Sequence, residues 1–396
     1  MNFLKRFSLF EAFLITSVLS IYLYAALSDA HNLPNNWFSR DDAYYYFKVA
    51  QNISEGAGST FDGINSTNGY HPLWMVICIP IFALARFDLI LPLRILLMVM
   101  AGFNAATAVL IYRLIKRNLS HSAAILASTF WAFNFYIHSI VYKFGLETPV
   151  AAFMIALLIW KLSLFEDDWR TKKISNRQLT SLAIVGILVM FSRLDLIFLV
   201  VISGIWVVFR GKPIRFLLPL DMVVIFISMT ASVAFRTGFE AYNQYYAGAA
   251  VLAAILSLSV KIICLYFFGA YQHPSLKSTW IIIKSSFLAL STGTAIITSL
   301  AILSVQSGFD LTFPRSAFIT DWVISVLGII AIRLAAYWSG NKNKHLETQT
   351  EAPLGQLRTN WKGWFADGRT YYGAVGGALA LYMVFNKVFF GTFSPV

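Results

Sequence analysis

Charged residues are scarce in this sequence of 396 residues, because Asp, Glu, Lys and Arg together make up only 13% of it. A soluble domain carries roughly a quarter charged residues, so the composition excludes an ordinary soluble globular protein. Apolar residues make up 58%, and apolar runs near the length of a bilayer crossing recur from end to end. The sequence therefore predicts an all-α polytopic membrane protein that has the bilayer as its solvent.

Cysteine is nearly absent, and the two present, Cys78 and Cys264, both lie inside apolar runs. Their spacing suits neither a zinc site nor a disulfide framework, which predicts two buried small apolar side chains. The phosphate-binding pattern GxxxxGKS and the zinc pattern HExxH are also missing from the sequence. The net charge of +12 comes without a basic stripe carrying interleaved stacking residues, so we expect membrane lipids and no nucleic acid as partners.

The apolar runs predict about eleven transmembrane helices, and Lys5 and Arg6 place the N-terminus in the cytoplasm. Residues 1–27 could also be a cleaved signal peptide, but an apolar run of about 20 residues favours an uncleaved first helix. Residues 71–85 are predicted as a helix on or in the outer face, because a crossing there would reverse the distribution of Lys and Arg. The predicted spans are 9–27, 91–112, 122–140, 149–165, 179–192, 196–209, 216–235, 249–270, 279–304, 319–338 and 371–386.

This topology predicts a single transmembrane module, 1–396, in the inner (plasma) membrane. The external first loop, 28–90, contains the densest polar cluster of the sequence, and we expect helices next to the membrane within it. A second polar stretch, 339–370, is weakly patterned and is predicted as a flexible cytoplasmic connector. The side of the protein that acts on substrate is therefore expected to be the external side.

Several ionisable residues converge on that external face in the predicted topology. Arg193 and Asp195 interrupt an otherwise apolar stretch, 182–209, and charges at such depth are rare unless they pair or line a cavity. The two could neutralise each other at a helix turn or take part in a binding site. The candidate site residues on the external face are Asp41, Asp42, Lys48, Asp62, His71, Glu147, Arg193, Asp195 and Arg315.

The stretch RDDAYYYFKVAQN, residues 40–52, has a helical pattern that begins with two acids. Carboxylates at a helix start can cap free N–H groups and complement the helix dipole, which explains one acid more easily than two. Asp41 and Asp42 could also bind a divalent metal, yet two adjacent carboxylates without further grouped oxygen ligands are weak evidence for one. No cofactor is predicted on this basis.

Five segments together resemble the GT-C superfamily of membrane glycosyltransferases, in particular bacterial polyprenyl-phosphate-sugar-dependent enzymes related to protein O-mannosyltransferases. The segments are DDAYYYFKVAQNI, GSTFDGINSTNGYHPLW, GLETP, SRLDLIF and FNKVFFGTFSPV. The resemblance implies a GT-C-like fold and transfer of a sugar, with inversion, from a polyprenyl-phosphate carrier at the external (periplasmic) face. The acceptor would be a glycan, a lipid or a protein. Relatives generally continue beyond such a final segment, so we expect either a naturally short chain or a truncated one.

The resemblance also implies roles for individual residues. Asp41 would act as the catalytic base, and Asp42 would support the site or bind the acceptor. His71, at a position where relatives often carry Lys, would steady the departing phosphate together with Arg193 and Arg315. Glu147 and Asp195 would orient sugar hydroxyls or those cations, and Lys48 and Asp62 complete the predicted substrate-binding set.

A transporter or flippase of a lipid-linked sugar or a related anion is the alternative function. Transporters usually place their important charges near the middle of crossing helices and consist of two related halves. In this sequence the polar residues concentrate in one external loop, and the two halves are not alike. The distribution of charge therefore favours the glycosyltransferase.

Overall fold

The structure, a computed structural model, describes residues 8–171, 174–272, 278–306, 314, 316–340 and 353–393. Helices and connecting loops, without any strand, make up this part of the chain. The chain is an all-α polytopic membrane protein, as predicted. Its helices are α1 Leu9–Ala26, α2 Asp41–Ser54, α3 Pro72–Phe82, α4 Leu91–Asn118, α5 His121–Phe133, α6 Phe135–Phe144, α7 Thr148–Thr171, α8 Asn176–Ser192, α9 Ile197–Val208, α10 Ile214–Thr237, α11 Phe239–Ala241, α12 Ala247–Phe267, α13 Thr279–Gln306, α14 Ala317–Gly340 and α15 Pro353–Phe390.

Within the described ranges, eight helices are long and apolar enough to cross a membrane, or nine if the bent pair α5–α6 is one span. Helices α8 and α9 have 17 and 12 residues, and at about 1.5 Å per residue α9 is shorter than a bilayer core of about 30 Å. The predicted count of eleven would require both short helices to cross, and it stays a prediction. The eight candidates are α1, α4, α7, α10, α11–α12 (Phe239–Phe267), α13, α14 and α15.

The chain divides into two compact units. The first unit contains Met1–Gly204 and Asp367–Val396, and the second unit contains Ile205–Ala366. Helix α15 begins at Pro353, inside the stretch predicted as a connector, with proline in the first turn where its missing N–H costs nothing. The remainder of that predicted connector includes residues 341–352, which lie outside the described part of the chain.

Polar side chains form hydrogen bonds with the backbone groups at the bend between α5 and α6, in the first unit. Asn134 ends α5 and caps α6, and the two helices meet at an angle of 41°. His138 Nε2 donates to the carbonyl oxygens of Trp131 and Ala132, at 3.1 and 2.9 Å, which the bend leaves without helical partners. Its Nδ1 contacts the hydroxyl of Tyr22 at 3.1 Å. A bend among apolar helices is tolerated here because its freed carbonyls are satisfied internally.

Helix α2 packs against α3 within the first unit. Ala43, Phe47 and Ala50 are buried, and the ring of Phe47 stacks on that of Phe82 at the end of α3, 4.5 Å between centroids. Asp41 and Asp42 lie exposed in the first turn. Arg40 precedes them without a capping side-chain hydrogen bond, so the two acids are left to complement the helix dipole.

Candidate functional site

A buried carboxylate, Glu147, occupies the turn between α6 and α7. The preceding Gly145 ends α6 in the left-handed conformation, with φ 60°. A Cβ atom at this position would lie 2.8 Å from the ring of Phe38, so both the conformation and the space require glycine. The carbonyl of Gly145 accepts a hydrogen bond from Trp74 Nε1, at 3.3 Å. The turn is therefore fixed, and it holds the Glu147 side chain with only 4% of its surface exposed.

His71 lies beside this carboxylate because it is the residue that begins α3. Its backbone N–H donates to the hydroxyl of Tyr46 on α2, at 2.9 Å, which ties the start of α3 to α2. Its ring nitrogen Nε2 lies 3.6 Å from Glu147 Oε1. Segments that are far apart in the sequence thus meet at one carboxylate.

Arg193 approaches the same carboxylate from the end of α8. Its backbone is extended, which ends α8 and lets a short turn at Leu194–Leu196 carry Asp195 before α9 begins. The guanidinium donates from NH1 to Glu147 Oε1, at 3.2 Å, and from Nε and NH2 to the two oxygens of Asp195, both at 3.1 Å. We call His71, Glu147, Arg193 and Asp195 the Glu147 cluster.

The hydrogen bond between Arg193 and Asp195 shifts the titration of both groups. It lowers the pKa of the Asp195 carboxyl below its ordinary value, and it raises the pKa of the Arg193 guanidinium. Both groups are therefore charged over the whole physiological range. The pairing that the sequence left open is present, and Arg193 also reaches beyond it to Glu147.

The hydrogen bonds of His71 also fix the position of its proton. The backbone N–H of Leu194 points to His71 Nδ1, at 3.4 Å, and an N–H group can only donate. Nδ1 must therefore be the acceptor, which puts the ring proton on Nε2, facing Glu147. The Glu147 cluster thus joins two carboxyl groups and one guanidinium, with the Nε2 side of the His71 ring facing Glu147.

Asp41, Asp42 and Lys48 lie on exposed positions of α2. In the described part of the chain, no hydrogen bond or ion pair joins them to the Glu147 cluster; Asp41 Oδ1 accepts the N–H of Asp42, at 3.2 Å. The start of α2 is nevertheless held beside the end of α6, because Arg40 N–H donates to the carbonyl oxygen of Lys143, at 3.2 Å. The two acids are thus presented to solvent near the segment that leads to Glu147.

Asp62 has a local structural task in the loop between α2 and α3. Its Oδ1 accepts the N–H groups of Ile64 and Asn65, at 2.8 and 2.7 Å, and its Oδ2 accepts from the Asn65 amide, at 2.7 Å. The donation from the N–H of Ile64, followed by those from Asn65, lowers the pKa of this carboxyl far below its ordinary value. Both carboxylate oxygens of Asp62 accept hydrogen bonds from the loop itself. The role of Asp62 in binding substrate stays a prediction.

Tyr46 is a member of this region that the sequence did not single out. The only signal was its position among three adjacent tyrosines, which is equally typical of an aromatic belt. Its side chain is 7% exposed, and burial, followed by the neighbouring charge of Glu147, raises the pKa of its hydroxyl. The hydroxyl therefore stays protonated, with its oxygen bound to the N–H of His71.

Arg315, the last predicted site residue, lies outside the described residues. Among those that are described, no group of three or more His, Cys, Asp or Glu side chains is placed to hold a metal ion. Comparison of the chain with protein families, curated proteins and solved structures gives no match.

Proposed function

We propose that this protein is an inverting glycosyltransferase that moves a sugar from a polyprenyl-phosphate carrier to an acceptor, within a GT-C-like fold of about eleven spans. The reaction would occur at the external face of the inner (plasma) membrane, with a glycan, a lipid or a protein as the acceptor. The observation that supports this proposal best is the Glu147 cluster, because it unites three of the segments on which the resemblance rests. They are the segments that contain His71, Glu147 and the pair Arg193–Asp195.

In the proposed reaction Asp41 takes the proton of the acceptor hydroxyl as that oxygen attacks the anomeric carbon. The bond from that carbon to the phosphate oxygen breaks, and the electron pair leaves with the lipid phosphate. A general base must be open to an acceptor that arrives from water, and Asp41 is exposed in the first turn of α2. Asp42, equally exposed, would bind the acceptor.

The departing phosphate needs positive charge, which constrains the role of the Glu147 cluster. Arg193 uses three of its five N–H groups on Glu147 and Asp195, which leaves two for a ligand. With a neutral His71 the cluster has an excess of one negative charge, so phosphate would bind best with a proton on His71 or with added cations. Arg315 is the further cation predicted for this purpose, and Glu147 and Asp195 would hold Arg193 in position.

Sugar transfer from a radiolabelled pool of polyprenyl-phosphate sugars in membranes tests the proposal. We expect Asp41→Asn, which keeps size and removes the base, to lower transfer by about a hundredfold or more. Glu55→Gln is the matched control, because this acid is exposed at the other end of the same helix and should transfer at the rate of the unmodified protein. Full transfer by Asp41→Asn at normal expression would eliminate the assigned base.

Transport of a lipid-linked sugar is a second candidate, and one observation favours it. The second unit holds two ion pairs with almost no exposed surface, Lys261–Asp321 and Arg333–Asp221, on helices long enough to cross a membrane. The cavity beside Arg333 has a volume of about 10 Å³, too small for a sugar. A flipping assay with a fluorescent lipid-linked sugar separates the two functions, because Asp41→Asn would leave transport unchanged and abolish transfer.

A further inference from the structure

Three membrane-length helices of the first unit, α1, α4 and α7, surround an apolar groove with a volume of about 310 Å³. Helix α4 packs against both α1 and α7, so it lies between them. Every side chain that lines the groove is apolar, and an apolar cavity excludes water and accepts apolar ligands. Its lining includes Gly102, Ala105 and Ala106 on α4, Leu19 on α1, and Phe153 and Leu157 on α7.

The groove is open to the surroundings at Gly102, which is exposed. A Cβ atom at this position would meet no side chain or other helix of the described part of the chain within 4 Å. Glycine within a helix is less favourable than alanine, and no packed neighbour requires it here. The space in front of Gly102 is therefore available to a molecule from the membrane.

The dimensions of the groove match a hydrocarbon chain better than a helix. The lining part of α4 extends from Gly102 to Leu110, which is about 12 Å at 1.5 Å per residue. A helix about 10 Å across would need roughly 900 Å³ over that length, about three times the volume of the groove. A thinner occupant is required, and acyl chains are what the bilayer core supplies.

Two lysines lie toward one end of this groove. Gly102 and Lys116 are four helical turns apart, so they lie along the same face of α4. On α7, Lys161 follows the lining residue Leu157 by one turn. Lys116 Nζ donates to the uncharged hydroxyl of Tyr112, at 3.4 Å. Among the described residues neither lysine has an ion pair, and Lys161 has no hydrogen bond either.

The acidic side chains near these lysines are bound by other groups. Glu11 on α1 accepts from Arg113 Nε, at 2.6 Å, and Asp167 on α7 pairs with Arg117. Farther along α7, Glu166 accepts from Arg170 and Asp168 accepts from Gln178, at 2.8 and 2.7 Å. The charges of Lys116 and Lys161 are therefore left for an anion from outside the chain.

We propose that the groove binds one acyl chain of an anionic phospholipid, whose phosphate contacts Lys116 and Lys161. Basic residues between membrane helices are typical binding sites for anionic headgroups. The ends of α4 and α7 that carry these lysines are predicted to be cytoplasmic, and the cytoplasmic leaflet is the one that carries anionic lipids. The apolar groove selects the chain, and the two lysines select the headgroup.

This lipid site is separate from the Glu147 cluster. Glu147 directly precedes α7, and Lys161 lies 14 residues farther along the chain, about 21 Å at the rise of a helix. The two lysines therefore cannot contact a phosphate that is bound by Arg193. The inference does not depend on the proposed glycosyl transfer.

Native mass spectrometry of the purified full chain in detergent, titrated with phosphatidylglycerol or with phosphatidylcholine of the same chains, tests the headgroup. We expect one phosphatidylglycerol to be retained at concentrations at which phosphatidylcholine is not. Lys161→Gln should weaken phosphatidylglycerol binding about fivefold, the factor for one basic side chain, and leave phosphatidylcholine unchanged. Lys284→Gln is the matched control, because this exposed lysine lies on a membrane-length helix of the second unit, and it should behave as the unmodified protein.

A second variant tests the groove itself. Gly102→Leu places a side chain in the open space without a clash and favours the helix, so the protein should fold. We expect it to weaken phosphatidylglycerol binding tenfold or more, because the leucine occupies the space of the acyl chain. Gly376→Leu on α15 is the matched control, since its Cβ also meets nothing within 4 Å in the described part of the chain, and it should retain the lipid.

Three outcomes would overturn the proposal. Equal retention of the two lipids by the unmodified protein, or by Lys161→Gln to the same degree as the unmodified protein, would remove the headgroup site. Unchanged phosphatidylglycerol affinity in Gly102→Leu would remove the groove. A dimer that Gly102→Leu separates would assign this face to a second copy of the chain.

Discussion

The Glu147 cluster of the first unit and the two buried ion pairs described in the second unit hold their charged side chains in different ways. In the first unit the Glu147 cluster is built at helix ends, and the side chains of Arg193 and Asp195 are 40% and 59% exposed. In the second unit the described pairs Lys261–Asp321 and Arg333–Asp221 join side chains within helices, and none of these four side chains is more than 1% exposed. Charges at helix ends can remain in contact with water and meet a substrate. Charges within packed helices, away from water, have to satisfy one another.

Removal of one partner from the buried Arg333–Asp221 pair should have the largest effect on stability. Asp221→Asn leaves the charge of Arg333 uncompensated between apolar helices, so we expect the free energy of unfolding to fall by about 3–5 kcal/mol. Thermal unfolding of the purified protein in detergent measures this loss. The double variant Asp221→Leu with Arg333→Leu should recover most of it, because no buried charge then remains. Equal losses of stability in the single and double variants would contradict this account of the Arg333–Asp221 pair.

Loss of the central carboxylate in the Glu147 cluster should have a smaller effect. Glu147→Gln removes the charge that binds Arg193 and faces His71, and we expect a loss of about 1.5–3 kcal/mol, the usual range for a hydrogen bond to a charged group. Asp195→Asn, whose side chain is mostly exposed, should cost less than about 1 kcal/mol. Thermal unfolding of both variants ranks them. A greater loss in Asp195→Asn would mean that Arg193 depends mainly on its neighbour in sequence.

Substitution of Asp62 should loosen one loop and leave the rest of the first unit intact. Asp62→Ala removes the acceptor for the N–H groups of Ile64 and Asn65, which should then exchange with deuterium faster than in the unmodified protein. Hydrogen exchange followed by mass spectrometry measures this for peptides that cover residues 56–70. Peptides from α2 and α3 serve as internal controls and should keep their exchange rates. Faster exchange there would show that the loop supports both helices.

The smallest expected effect is a dependence of stability on acidity through Asp195. Its pKa in the folded protein lies below its ordinary value of about 3.9, so its contribution is fully present above that pH. The contribution is lost as the pH falls through the lowered folded pKa, because the protonated acid no longer pairs with Arg193. Thermal midpoints measured below about pH 4 should converge for the unmodified protein and Asp195→Asn. A constant difference between them would contradict the assigned pairing.

Several elements of the candidate site follow from sequence patterns that have a local physical cause. The pairing of Arg193 with Asp195 was one of two alternatives, since two charges of opposite sign interrupt an apolar stretch at neighbouring positions. The helix that begins with Asp41 and Asp42 is confirmed, because helical periodicity is a property of the segment itself. The activity inferred from these segments remains a prediction.

The sequence by itself determined that this is an all-α membrane protein. Apolar content and the length of apolar runs are local quantities, and the thickness of the bilayer sets the length of run that can cross it. Only the tertiary structure decided which charges meet. His71, Glu147 and Arg193 come together through a left-handed glycine, a helix start and a helix end, and Lys261 reaches Asp321 from another helix. Such pairings depend on the packing of helices far apart in the chain, and helical periodicity fixes the face of a residue without naming its partner.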